Sequence, residues 1–495
     1  MHLTEILEKT SNLSMISGLK KIVITDVVND SKKVKKGSLF CAIPGEKYDG
    51  HNYIDEAIEF GASVIVHDGR KIKKFKNVTY LTSNNMRETF SEICSIFWSL
   101  TPEMIVSVTG TNGKTSTVEY LRQLWNKSTW NSVSMGTLGI NSNHSDFQNR
   151  PLNLTTPSSE EIFFNLHKAK SKGISNFAFE ASSHGLKQAR LSNLGVNIAV
   201  FTNLSRDHLD WHKDMDDYFE SKVILFEKNL LEGGIAVINI DDKWGEKLVK
   251  RLKRRNIVIK TFSQNSEADF VLDKIISREY GFDINLKYKN EFFKIPIPLQ
   301  GDFQIRNAIM AAITAFSSGL PFQNAFGNLS NLIPIPGRME PVYGHPNGSK
   351  IIIDYAHTPE ALKHSLKSLK AHTKGSLYLV FGCGGDRDVG KRKLMGEVAN
   401  NYSDFVFVTD DNPRKEDPEN IRKQIIIGCP KAKEISPREI AIKKAISYLK
   451  MNDTLLIAGK GHETFQLVGT ETLPFDDVSI AKNAVNFLNS KKNEF

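Results

Sequence analysis

With 495 residues, 40% of them hydrophobic and 24% charged, the chain outgrows a single core and predicts two to four domains, excluding collagen-like, disordered and disulfide-scaffold classes. Its apolar runs stop far short of the roughly 18 residues of a membrane helix, and residues 1–20 lack the basic start and apolar core of a secretory signal, so a cytoplasmic protein with no membrane partner is expected. The net charge of +9 is scattered through short clusters such as 71–74 and 250–255; these read as solvated faces, and no nucleic-acid partner is expected.

The four cysteines, Cys41, Cys94, Cys383 and Cys429, show no CxxC or Cys/His ligand spacing, which argues against structural zinc and disulfides. Strand-like apolar runs occur at 105–109, 177–180, 198–202, 235–239, 351–354, 377–381, 405–409 and 455–458, separated by segments of helical spacing. That alternation predicts an α/β protein with parallel sheets wound by helices. The Thr101-Pro102-Glu103 step and the Pro/Gly break at 333–337 divide it into an N-terminal domain (1–97), a central domain (98–336) and a C-terminal domain (337–495). Alternation over 268–298 adds antiparallel strands, assigned to the central domain.

Ligands of open parallel sheets bind beyond the carboxyl ends of the strands, and here those positions are dense with chemistry. Behind the first central strand, Gly110, Thr111, Asn112, Gly113, Lys114, Thr115 and Ser116 form a loop entering a helix. Its amides suit a phosphate, Lys114 adds a point charge and Thr115 can hold magnesium. The loop is a variant, with Val108 where the usual pattern wants its first glycine. Glu180 ends a strand that reads as buried, where a carboxylate needs a partner or a metal; the alternative is a side chain reaching solvent. His208 lies among Arg206, Asp207, Asp210 and His212 and is either a metal ligand or surface. Lys222 sits within the apolar stripe of Tyr218, Phe219, Val223 and Phe226. It either snorkels to water or loses its proton on burial, and a neutral amine can take up carbon dioxide to become an anionic carbamate. Arg387 and Arg414 come after neighbouring C-terminal strands; each alone could be a surface arginine, but together at one sheet edge they suit bidentate recognition of carboxylates, hence of an acidic amino acid.

Taken together, GTNGKT (110–115), TTP (155–157), EASSHGL (180–186), TNLSRDHLDWH (202–212), the run ending at Lys222, IPGRME (335–340), DYAHTPEAL (354–362), GCGGDRD (382–388), DNPR (411–414) and GKGHE (459–463) resemble the Mur ligase family over essentially the whole chain. The resemblance implies a central P-loop-type ATPase domain, a Rossmann-like C-terminal domain and an ATP- and Mg2+-dependent amide ligase of peptidoglycan synthesis, a monomer. It implies that meso-diaminopimelate is added to UDP-N-acetylmuramoyl-L-alanyl-D-glutamate. Ser31, Glu46, Lys47 and Tyr48 would hold the UDP-muramoyl end, and Thr155, Thr156, Ser182, Gln188 and Arg190 the rest of that substrate. Asn307, Arg338 and Asp354 would join the phosphate loop on ATP, and Thr115, Glu180, His208 and a carbamylated Lys222 would hold metal. Arg387, Asp411, Asn412, Pro413, Arg414, Gly459 and Glu463 would hold the amino acid. Lys32 and Gln304 depart from the family's usual arginine and asparagine. The rivals are a lysine-adding or folylpolyglutamate-forming sister ligase and, in another class, a P-loop ATPase acting on nucleic acid, which would show salt-sensitive, nucleic-acid-stimulated hydrolysis.

Overall fold

The computed structural model describes residues 1–11, 13, 22–45, 48–147, 150–209, 211–265, 267–278 and 281–492. All eight predicted strand runs are strands, seven to within a residue or two at their ends, while the run at 235–239 is the end of a longer strand, Leu230–Asn239. The chain packs as two compact units: Met1–Asp269 with Ile313–Pro321, and Phe270–Ala312 with Phe322–Phe495.

The first unit contains two sheets. Asp26–Val28, Ser38–Cys41, Val64–His67 and Thr79–Thr82 pair in that order, all parallel. The larger sheet runs Val258–Ser263, Leu230–Asn239, Val196–Phe201, Met104–Thr109, Asn176–Glu180, Ser132–Gly136 and Gly139–Ser142, parallel except for the last pair. Val106, Val108, Phe177, Phe179, Ile198 and Val200 are all buried, because helices cover both faces and leave no strand face for polar residues. Register then places the chemistry: Val108 pairs with Glu180 and Thr109 with Phe201, so the three central strands end level, and the loops after them emerge along one edge.

In the second unit, Phe270–Ser277, Phe282–Tyr288 and Glu291–Ile297 form the expected antiparallel meander, anchored by a stack of Phe270, Tyr288, Phe322 and Phe326. By packing, these strands group with the second compact unit. The six-stranded sheet runs Glu340–Val342, Lys350–Asp354, Thr454–Ala458, Leu377–Phe381, Phe405–Val408 and Lys433–Glu434, parallel but for its first strand.

Beneath the loops of that sheet lies a fully buried ion pair. Arg438 donates through Nε and Nη2 to both oxygens of Asp477, at 2.8 and 2.7 Å, and through Nη2 to the carbonyl of Ala458 at 2.9 Å. Ala458 is the last residue before the 459–463 loop, so the pair ties core to loop. Removing one partner of a buried pair strands the other charge. Arg438→Met is therefore expected to cost the second unit roughly 3–5 kcal/mol, read as an earlier urea transition; a shift equivalent to under about 1 kcal/mol, the scale of an exposed pair, would contradict this.

Candidate active site

The loop after Met104–Thr109 folds as a cradle because two glycines allow it. Gly110 has φ +148°, and a Cβ there would lie 1.9 Å from the Thr202 hydroxyl; Gly113 caps the helix Lys114–Lys127 at φ +87°. The neighbouring strand's loop braces the cradle: Thr202 donates to the Asn112 carbonyl at 2.6 Å, Asn203 accepts from the Asn112 amide at 3.1 Å, and the Ser205 amide donates to Thr111 Oγ1 at 3.0 Å. Lys114 Nζ lies along the loop, donating to the carbonyls of Gly110 and Thr111 at 3.0 and 2.8 Å. Helix N-terminus, amides and ammonium converge as an anion site.

Lys222 reaches the same loop from beneath. Its side chain, 1% exposed, rises from the helix Met215–Ile224, donates to the Gly110 carbonyl at 2.8 Å and lies over the Tyr218 ring at 4.4 Å. Desolvation, reinforced by the nearby Lys114 charge, lowers its pKa well below the usual lysine value. The apolar stripe therefore buries Lys222 and does not let it snorkel.

Glu180, 2% exposed, accepts from Thr115 Oγ1 at 3.0 Å, from the Thr137 amide at 2.7 Å and from Thr137 Oγ1 at 3.3 Å. A buried carboxylate beside a threonine hydroxyl at the mouth of a phosphate loop is an oxygen donor set that fits a hard divalent cation. Sequence reasoning misses Thr137, because its strand, Ser132–Gly136, alternates serine with apolar residues and does not stand out as an apolar run. Its position directly after a strand end is the signal that would find it. His208 sits elsewhere in this neighbourhood. Its side chain is 47% exposed, its backbone is left-handed at φ +53°, and its ring is 6.1 Å from Tyr218 and 5.2 Å from His184. The buried imidazole is that of His212, bonded to Ser183 Oγ at 2.9 Å and Asp217 at 3.2 Å.

Among the residues expected to hold the UDP-linked substrate, Thr156, Ser182, Gln188 and Arg190 form one network. Thr156 Oγ1 donates to the Glu180 carbonyl at 2.8 Å and accepts from the Ser182 amide at 2.9 Å. Arg190 donates to the Thr156 carbonyl and, at 2.7 Å, to Gln188 Oε1. Thr155 pairs with Thr137 at 3.1 Å. Gln188 and Arg190 line a cavity of about 180 Å³ with Asn29, Arg87 and Phe90. Burial and the Arg87 charge depress the Arg190 pKa, so two guanidinium groups share a cavity suited to an anion. Ser31 is buried at the start of the turn Ser31–Lys33, which also contains Lys32, and Tyr48 is exposed; Glu46 and Lys47 lie outside the described residues.

In the second unit Asn307 donates to Gln304 at 3.3 Å, so the substituted Gln304 supports it. Arg338 lies over the Tyr355 ring at 4.6 Å. Asp354 is committed to structure, accepting from the Met339 amide at 2.8 Å, the Ala356 amide at 3.1 Å and Ser365 Oγ at 3.0 Å. The loops at 382–388 and 411–416 clamp each other. The Gly385 amide donates to the Asn412 carbonyl at 2.9 Å and Arg414 Nη1 donates to the Gly385 carbonyl at 2.8 Å. Glu416 accepts from the Asp386 amide at 2.5 Å and is bound at both oxygens by the buried Arg392, each at 2.8 Å. Asp386 and Arg414 both hold left-handed φ near +51°, a strained conformation that collects at ligand sites. Pro413 turns the loop tightly enough that a Cβ on Gly385 would meet its carbonyl at 1.9 Å, and one on Gly459 would meet Asp411 at 2.5 Å. Asp411 is buried, Arg387 exposed, and Asn412 Nδ2 donates to Glu463 at 2.9 Å.

Three family models match successive stretches of the chain. Models of the Mur ligase family catalytic domain, the Mur ligase middle domain and the Mur ligase glutamate ligase domain match residues 23–95, 108–315 and 337–461. The chain belongs to the Mur ligase family, with its three-domain α/β fold. It is 40% identical over 463 residues to the UDP-N-acetylmuramoyl-L-alanyl-D-glutamate--2,6-diaminopimelate ligase of Zymomonas mobilis, covering 92% of this chain and 93% of that protein. It is 38% identical over 478 residues to the enzyme of the same name from Agrobacterium fabrum, covering 97% and 96%. A solved structure of a ligase of that name aligns with a TM-score of 0.71 at 32% identity over 99% of each chain.

Gly136 tests the Glu180 geometry, since a Cβ there would approach Glu180 Oε1 to 2.2 Å. Gly136→Ala is expected to displace the carboxylate and slow ATP-dependent ligation about ten- to a hundredfold, the factor set by ~1.4–2.8 kcal/mol, with the fold unchanged by circular dichroism. An unaltered rate would show that the carboxylate position does not matter.

Proposed function

We propose that the chain joins meso-diaminopimelate to UDP-N-acetylmuramoyl-L-alanyl-D-glutamate at the expense of ATP, a step of cell-wall peptidoglycan synthesis. The observation that carries this reading is the pair of cross-braced loops at 382–388 and 411–416, which present Arg387 and Arg414 together with Asp411, Asn412 and Glu463. Two guanidinium groups suit carboxylates and two acids suit ammonium groups, the complement of a diamino dicarboxylic acid. Full-length relatives with the same activity in their names support it.

The side-chain carboxylate of the D-glutamate unit attacks the γ-phosphorus of ATP, forming a P–O bond as ADP leaves. The deprotonated amine of diaminopimelate then adds to the acyl phosphate carbon, and phosphate departs. The phosphate-loop amides and Lys114 hold and orient the transferring group, offsetting charge where two anions must approach. Thr115 and Glu180, together with His208 and Lys222, would hold Mg2+, which would supply further charge neutralisation. In the same reading Lys222 is N6-carboxylated: its neutral amine takes up carbon dioxide, a proton leaves, and an anionic oxygen ligand replaces the buried cation. Gln188, Arg190 and Arg87 bind the anionic part of the nucleotide substrate. Asn307, Arg338 and Asp354 serve the ATP side, the last by fixing the Met339 backbone beside Arg338. No helix among the described residues is long and apolar enough to cross a membrane, and soluble substrates suit a monomeric enzyme working in the cytoplasm.

Selectivity separates this reading from a lysine-adding ligase or a folylpolyglutamate synthase. Lysine lacks the distal carboxylate, and losing that charge-assisted bond while leaving Arg414 unpaired costs roughly 3–5 kcal/mol. Wild-type kcat/KM is expected to be about a hundred to a few thousand times higher for meso-diaminopimelate, and Arg414→Ala should narrow that gap, hurting diaminopimelate far more than lysine. Coupled ADP-release assays with a panel of amino acids read both numbers. Comparable use of the two amino acids by wild type would remove Arg414 as the carboxylate clamp, and rapid hydrolysis with nucleic acid alone would remove the ligase reading.

A further inference from the structure

Lys460 is fully enclosed within the second unit, its side chain 0% exposed. A buried ammonium persists only with partners, and those of Lys460 are informative. Nζ donates to Asn412 Oδ1 at 3.0 Å and pairs with Glu463 Oε2 at 3.2 Å, while the rings of Phe465 and Phe475 stand 5.8 and 6.0 Å away. Both polar partners belong to the amino-acid site proposed above. Lys460 itself is shielded from that site's ligand by its burial.

An asparagine amide can enter a site in two orientations, presenting either N–H or C=O, and its hydrogen-bond network decides which. Here the network is closed. Asn412 Oδ1 accepts from Lys460 Nζ and from the Leu467 amide at 3.0 Å, and Nδ2 donates to Glu463 Oε2 at 2.9 Å. Turning the amide over would set N–H against two donors and C=O against a carboxylate. The remaining Nδ2–H is thereby held as a donor. The hairpin Phe465–Val468/Glu471–Pro474 completes the frame: Arg414 donates its amide to the Leu467 carbonyl at 3.0 Å, the Gly469 amide returns to the Arg414 carbonyl at 2.6 Å, and Gln466 Nε2 donates to the Asp411 carbonyl at 2.5 Å. The hairpin and Lys460 together immobilise the backbone of Arg414, the amide of Asn412 and one oxygen of Glu463.

We infer that Lys460 is a positioning residue that fixes the polarity of the amino-acid site, holding Asn412 as a donor toward a substrate carboxylate and Glu463 as an acceptor toward a substrate ammonium group. This rests on the diaminopimelate-ligase reading. Lys460→Met keeps the volume and removes both contacts. Without it the amide loses one of the two donors that fix its oxygen, and Glu463 loses its cation.

The test is steady-state kinetics of the full chain with meso-diaminopimelate, ATP and UDP-N-acetylmuramoyl-L-alanyl-D-glutamate varied in turn, for wild type, Lys460→Met, Asn412→Ala and the double variant. Lys460→Met is expected to raise KM for diaminopimelate about thirtyfold, the scale of a charge-assisted bond, with KM for ATP and the nucleotide substrate each within about threefold. In the Asn412→Ala background the same change should add less than about threefold, because coupled residues are not additive. Lys460→Gln, which retains one donor, should fall between wild type and Lys460→Met. A merely structural role would raise all three KM values together or give multiplicative losses, and either result overturns the inference, as does an unchanged KM for diaminopimelate. If both Lys460 variants fail to fold, Lys460 is a folding residue and the inference is also wrong. Failure of wild type to use diaminopimelate at all would instead overturn the underlying reading.

Discussion

The structure depends on where charge is allowed inside it. In a parallel sheet covered on both faces, the only polar territory is the loop edge, and any ionised group buried just below that edge must be neutralised, paired or coordinated. Lys222 is the extreme case. It brings an amine beneath a loop that already holds Lys114, and desolvation with like-charge repulsion acts against its protonation. Glu180, at the end of the strand beside the cradle's own, carries the opposite sign and is held by threonine donors. A depressed amine and a buried carboxylate thus stand beside the cradle, already held in place by the fold.

The second unit solves the same problem with pairs. Arg438 with Asp477 lies deepest, Arg392 with Glu416 braces the two clamp loops, and Lys460 with Glu463 and Asn412 sits nearest the site. Each pair is tied by hydrogen bonds to a carbonyl, an amide or a side-chain amide at the end of a strand or in the loop beyond it. The first pair is buried on both sides and the other two on the cation's side; such pairs add little net stability compared with apolar packing, and their effect is geometric. They hold loops whose left-handed residues, Asp386 and Arg414, cannot be maintained by local preference.

Much of this is legible in the sequence because strands buried on both faces are continuous apolar runs, which make the polar loops at their ends conspicuous. Glu180 and Lys114 stand out in that way, and burial decides what periodicity leaves open for Lys222. Thr137 escapes because Ser134 interrupts its strand's apolar character. The four-stranded N-terminal sheet escapes because its strands, three or four residues long, are too short to show a period. The committed state of Asp354, with three donors on one carboxylate, and the roles of Arg392 and Lys460 depend on contacts between residues far apart in sequence, for which spacing offers no signal.

The chemistry of the first unit turns on whether the amine of Lys222 is neutral enough to carry a carboxyl group. The direct measurement is 13C NMR of the protein equilibrated with 13C-labelled bicarbonate and Mg2+. Wild type is expected to show a single carbamate resonance that is absent from Lys222→Ala and persists without ATP or substrate. An active wild-type enzyme with no such resonance would contradict it.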